Sequence, residues 1–315
     1  MLRQLFCGVA LFVLFIAGGV HAAGDTAIFD EVVGRFHPVK PAAIMNYEVS
    51  YALLHIRLKR VAGATIKASE GVWLSHASNT PIPACIIDFQ VATPEARDGS
   101  ITLFKRTVCV LTLPDLKIIR YVKKNDEVIK PFFGRERRMN YSEVYDFESG
   151  ALAYHRYDHI SGTEATNLVN MADLAKQGAE VSDVLQTLFA SYHELPVVGH
   201  PHANTVHFNV EGTIRTFELR MMKGKTMASV LGRKIVALYA DVQPVAGSDG
   251  RSESFSMWCL PFRDFARETQ DPALKQLAEI SLECSMVPLS GEYALFLGAL
   301  DCVLTHVQVL PVERD

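Results

Sequence analysis

Tyr47-Glu48-Val49-Ser50-Tyr51-Ala52-Leu53 is apolar or aromatic at odd positions and polar or small at even ones. Leu54, Ile56 and Leu58 follow, with His55, Arg57 and Lys59 between them. A period of two marks a half-buried β-strand, because successive side chains leave a pleated chain on opposite faces. The apolar face changes parity at Leu53-Leu54, which predicts a bulge or bend there.

The pattern spreads outward from this stretch. Strands are predicted over 83–92, 101–112, 116–123, 135–147, 151–158, 205–211, 213–222, 233–243, 253–261, 286–296 and 299–309. Their joints carry turn residues: Asp98-Gly99, Ser149-Gly150, Glu211-Gly212 and Gly298. Many strands with short joints imply antiparallel pairing and a mainly β fold. Two segments break the pattern. Over 181–192, Val181, Val184, Leu185, Leu188, Phe189 and Tyr192 form one apolar helical stripe, with Ser182 as cap and Pro196 as stop. This is the predicted principal amphipathic helix, with its apolar stripe buried on the sheet. A small helical insertion is predicted over 262–283, on Leu274, Leu277 and Ile280. The segment 160–180 reads as a long connection, either inside one β-rich domain over 23–315 or between two sub-sheets of it.

The chain has 315 residues, 49% of them hydrophobic, and a formal net charge of −4. That supports a sizeable core and argues against wholesale disorder. Nothing globally basic points to nucleic acid. The first residues are a different matter. Met1-Leu2-Arg3 is a basic start, Leu5 to Ala17 is apolar apart from Cys7 and Gly8, and Val20-His21-Ala22 offers small residues to a peptidase. This is the layout of a signal peptide over 1–22, cut after Ala22. The expectation is a periplasmic or secreted protein with no transmembrane segment once the signal is gone.

Five cysteines remain beyond that signal: Cys85, Cys109, Cys259, Cys284 and Cys302. Cys85 and Cys109 are equidistant from Arg97, the midpoint of the loop 93–100. If the hairpin turns there, they face each other and form a disulfide. Cys259 with Cys284, closing the insertion, is the weaker pair, leaving Cys302 as the odd thiol.

Several local motifs, in order, resemble one family. Asn46-Tyr47-Glu48-Val49-Ser50-Tyr51 looks like its opening strand and Tyr145-Asp146-Phe147-Glu148-Ser149-Gly150 like its central hairpin. Asp183-Val184-Leu185-Gln186-Thr187-Leu188-Phe189 is similar to its helix. Met257-Trp258 with Val287-Pro288, and then Leu297-Gly298-Ala299-Leu300, resemble its closing strands. The family is an exported bacterial group catalogued as domain of unknown function 3108. Tyr192 stands where its helix usually ends in Arg. The resemblance spans Asn46 to Val307 and implies a periplasmic β-rich protein. By analogy of fold it implies a large curved sheet, half-barrel or barrel-like.

No catalytic signature emerges. His193, His200, His202 and His207 cluster, but with no Cys or carboxylate at familiar ligand spacing, so no metal or cofactor is implied. Ala246-Gly247-Ser248-Asp249-Gly250 echoes a nucleophile elbow but sits between strands, where that turn needs a following helix. Trp73, Phe132 and Phe133 are read as core. The informative bias is over 101–140, where ten basic residues stand against four acidic ones. Arg120, Lys123, Arg135, Arg137 and Arg138 are the candidate ligand-binding residues, for an anionic lipid or acidic glycan of the cell envelope. The bland reading is a solvated sheet face. The expected function is non-enzymatic binding or carriage of an apolar or anionic envelope molecule. The second reading is an envelope scaffold or interaction protein with no small ligand, and a hydrolase is the third.

Overall fold

The alternation governs the structure, a computed structural model that describes residues 27–53, 56–93, 101–129, 136–148, 151–170, 181–182, 202–210, 213–222, 231, 234–245, 255–261, 286–295 and 298–312. One helix precedes the strands, α1 (Ala27–Gly34). Then come β1 (Phe36–Pro38), β2 (Ala42–Leu53), β3 (Ile56–Leu74), β4 (Pro81–Ala92), β5 (Ile101–Thr112), β6 (Ile118–Ile129), β7 (Arg137–Asp146) and β8 (Ala151–Asp158). The rest are β9 (Thr163–Asn170), β10 (Val181–Ser182), β11 (His202–Val210), β12 (Thr213–Met222), β13 (Leu238–Pro244), β14 (Phe255–Pro261), β15 (Met286–Leu295) and β16 (Gly298–Leu310). The protein is mainly β, a large curved antiparallel sheet. No helix among the described residues is long and apolar enough to cross a membrane.

All the described strands join one sheet, in the order β10 to β16 and then β2 to β9, with β1 paired to β3 off this path. Every pairing is antiparallel except the short β10 on β11. The last strand therefore lies beside β2, Leu304 opposite Tyr47. Connectivity alone requires the sheet to curl. At about 4.8 Å per strand, the fifteen-strand path would be about 67 Å wide if flat. Its two edges, β9 and β10, are joined through residues 171–180, and that length of chain spans at most about 40 Å. The edges must therefore approach each other, and among the described residues they do not pair.

Both faces carry a core. On the outer face α1 lays Phe29 and Val32 over Trp73, Ala84, Ile86, Val108, Val110 and Val122. The other face buries Ala43, Met45, Ile66, Ile87, Cys109 and Leu111 in a cluster that also takes in Leu260, Val287 and Leu304. Among the described residues, the curled sheet itself and Leu231, Ile235 and Ala237 cover this inner face.

Three expectations are corrected and one element is new. The parity switch at Leu53-Leu54 is a chain reversal: Leu53 pairs with Ile56, so β2 and β3 form a tight hairpin, and the register shift lies earlier, between Val49 and Tyr51. The connection read over 160–180 carries β9, which pairs along its whole length with β8. Helix α1 had no counterpart in the strand and helix reading. Cys85 lies opposite Leu111 and Cys109 opposite Ile87, so the pair is diagonal and both residues are thiols. Directly opposed residues bring their β-carbons to bridging range, whereas diagonal ones stand about 7–8 Å apart. Cys259 is a thiol too, while Cys284 lies outside the described residues, as do the predicted insertion 262–283 and the predicted helix beyond Ser182.

Candidate functional site

From Tyr121 onward the odd-numbered residues of β6, with Tyr141, Glu143 and Tyr145 of β7, face inward, and here the inner face changes character. Following direct cross-strand partners from β2 to β8, one rung reads Met45, Ile66, Phe89, Thr107, Lys123, Glu143, Arg156. The next reads Tyr47, Ala64, Val91, Lys105, Asn125, Tyr141. The first begins apolar and ends charged, and the second turns from Ala64 and Val91 to Lys105 and Asn125 between its two tyrosines. Tyr121, Tyr145 and Tyr154 form the aromatic floor on the other side, with ring centroids 5.1 and 4.9 Å apart along the row.

The polar half has a defined centre. Glu143 is fully buried. Its Oε2 receives Lys123 Nζ at 3.2 Å, its Oε1 receives the Tyr154 hydroxyl at 3.0 Å, and Arg156 Nη1 stands 3.5 Å from Oε1. Arg156 also lies over the Tyr141 ring, its Cζ 3.9 Å from the centroid, within cation–π range. Burial, followed by the charge of Glu143, holds the Tyr154 phenol well above its ordinary pKa, so it remains a donor. Beside this group Asn125 is 0% exposed, and neither Oδ1 nor Nδ2 has a hydrogen-bond partner. Lys105 and Glu127 are buried on the same face.

Exposure rises toward the edge. Arg156 is 26% exposed by its side chain, and on β9 every residue from Thr163 to Leu168 is exposed, whichever face it points to. The polar cluster therefore sits just inside the open lip of the sheet.

The outer face holds a second polar group, around the end of α1. Arg120 bridges Asp146 and reaches Glu31 at 3.8 Å, and His76 stands 3.4 Å from the same Glu31 oxygen. Glu148 accepts from Trp73 Nε1 at 2.6 Å, Ser75 Oγ at 2.9 Å and the Ala77 amide at 3.1 Å. Burial works to raise its pKa, but these donors outweigh it and hold the carboxyl below its ordinary value. Beside this group a cleft of about 510 Å³ opens over Arg120, Val144, Asp146, His155, Thr166 and Leu168.

The predicted basic residues do not come together. Lys123 belongs to the inner cluster. Arg120 points the other way and is paired with Asp146. Arg138 is exposed and paired with Glu136. Arg137 sits in β7 opposite Ile129, and Arg135 lies outside the described residues. Glu143, Tyr154, Arg156 and Asn125 were not singled out from sequence. The available signal was charge at odd positions within otherwise apolar or aromatic rows, as in Tyr121, Lys123, Asn125 and Glu127 against Tyr141, Glu143 and Tyr145. Among the described residues no group of His, Cys, Asp and Glu could hold a metal ion.

No family model and no curated protein matches the chain. Among solved structures it is similar to the crystal structure of a β-barrel-like protein of domain of unknown function DUF1849 from Brucella abortus. The two are 10% identical with a TM-score of 0.41, over 87% of this chain and 99% of that one. The likeness is thus to a β-rich domain of unknown function, and it does not single out the 3108 family.

Proposed function

We propose that this protein is exported and binds or carries an anionic or apolar molecule of the cell envelope, without catalysis. The observation that supports this best is the graded inner face, apolar from β16 through β4 and charged from β5 to β8, beside an edge whose last strand is open on both faces. An amphiphile matches such a surface, since apolar contact and charge recognition lie on one continuous wall. The signal-like start and the motifs resembling the exported 3108 family support the location. Solvent extracts of the protein purified from its native compartment should yield a bound species by mass spectrometry, near one per chain. Clean extracts, together with no binding of added lipids, overturn the reading.

One observation favours the scaffold reading. Ala43, Val49, Ile87, Cys109 and Leu111 are fully buried, so the inner apolar wall is already filled by the protein's own side chains there. Hydrolysis has less behind it. Ser142 Oγ and His159 Nε2 stand 2.7 Å apart, but the hydroxyl is buried in the middle of β7 and neither residue lines the described cleft.

A further inference from the structure

We propose that the outer edge of β9 is a strand-addition site. It takes an extended segment of a partner protein that carries a large apolar residue and, four positions after it, a Lys or Arg. This goes beyond carriage and does not rest on it.

The edge lacks the usual guards. Sheets blunt their edges with short strands, bulges, Pro or Lys, because a bare row of amides and carbonyls pairs with any strand that meets it. At the other end of the path β10 is two residues long. β9 is eight, Thr163–Asn170, and pairs with β8 without a register shift. It contains no Pro, Lys or Arg, and among the described residues no strand lies on its far side. Thr163 to Leu168 are exposed on both faces, Leu168 to 72%.

The outer face selects the segment. The rung Arg120, Asp146, Ala153, Leu168 ends at this edge and lines the 510 Å³ cleft. An added strand supplies the next residue of that rung. Ala153 is small, so a large apolar side chain in that place covers Leu168 and faces the mouth of the cleft. Glu164 shares the outer face with Leu168 and is 62% exposed, with His155 Nε2 3.6 Å away. From Tyr157 to Asn170 the acids are Asp158 and Glu164, and there is no Lys or Arg. The complementary residue opposite Glu164 is therefore basic, since opposite charges stabilise a cross-strand pair and like charges oppose it. Every long pairing in the sheet is antiparallel. In that direction the residue facing Glu164 comes four after the one facing Leu168. β9 has no basic residue of its own to offer, so a second copy of this chain lacks the match.

The test uses the full protein and a capped heptapeptide, Thr-Phe-Thr-Val-Thr-Lys-Thr, followed by calorimetric titration and hydrogen exchange. Binding should slow exchange of β9 amides. The same peptide fully N-methylated keeps its side chains but cannot donate to the edge, and should not bind. Glu in place of the peptide's Lys should weaken binding about fivefold, and Glu164→Lys should reverse that preference. Leu168→Lys puts a guard on the edge and should weaken binding about tenfold, with the melting temperature unchanged because the side chain is exposed. If the heptapeptide does not bind, or binds Glu164→Lys and Leu168→Lys as it binds wild type, the site is wrong whatever the native extracts contain. If wild type dimerises in sedimentation equilibrium and Leu168→Lys releases the monomer, the occupant is a second copy and the foreign segment is wrong.

Discussion

Lys123 and Glu143 are direct neighbours across β6 and β7, joined Nζ to Oε2 at 3.2 Å with the carboxylate fully out of water. Removing the carboxylate is expected to be costly, because two cations and a phenol then lose the charge they were buried against. Glu143→Ala should destabilise the protein by about 3–5 kcal/mol. Denaturant unfolding followed by circular dichroism measures it, and an unchanged midpoint would show the cluster to be a surface ornament.

Arg138→Gln should do almost nothing. Its partner Glu136 and its own side chain are solvent-accessible, and such pairs contribute about 0–1 kcal/mol. A melting temperature lowered by more than a few degrees contradicts this.

Gly71 should not tolerate a side chain. A Cβ there would run into the backbone carbonyl of His37 and the ring of Phe36, where β1 crosses close to β3. Gly71→Ala is expected to cost about 1–3 kcal/mol. It should do so by prising β1 and α1 off the outer face. Proteolysis at the α1–β1 junction should then begin under native conditions, and resistance equal to wild type counts against the close approach.

Two groups set opposite limits of pH. Glu148 has a depressed carboxyl in the folded state, so its contribution is present above the unfolded value and fades as acid protonates it. Glu148→Gln should lower stability at neutral pH and flatten the acid limb of the stability curve. Burial pushes the Cys259 thiol up to about 12. The folded state therefore keeps a proton that the unfolded state loses, and stability falls as pH rises from about 9 toward 12, by at most about 1.4 kcal/mol per unit. Cys259→Ala should lessen that alkaline slope, part of which Cys302, likewise raised to about 12 by burial, still carries. Urea midpoints across the pH range check both, and parallel curves for variant and wild type would refute either.

If the leader is read correctly, N-terminal sequencing of the exported protein begins at Ala23. An intact Met1 in that fraction is the contrary result.

How far the sequence disclosed this protein depended on whether a strand had one dry face. Ile101–Thr112, Ala151–Asp158 and Thr213–Met222 fall where alternation put them. Strand β9 was missed because Thr163 to Leu168 are exposed on both faces, so no contrast of period two exists to be read. Helix α1 has only eight residues, of which Phe29 and Val32 are buried, too short for its 3.6 period to stand out. The cysteines were misplaced by a single residue of turn geometry. The hairpin is centred on residue 98 rather than 97, and a one-residue move of the centre slips the partners by two. The site was half legible. Counting bases over 101–140 found Lys123, but a count adds both faces of a strand together. It could not see that Arg120 and Lys123 leave β6 in opposite directions, nor that Glu143, an acid, organises the cluster.

The seam between β16 and β2 has a consequence in time. Val307 pairs with Met45, and Leu304 with Tyr47, across more than 250 positions of chain. The ribosome delivers Met45 long before Val307. Until that delivery, one side of β2 is an unpaired row of amides and carbonyls in the middle of the finished sheet. Assembly that waits on such a distant partner is slow and exposes a template for foreign strands. Losing the thirteen residues of β16 would accordingly split the molecule at its centre rather than shorten its rim.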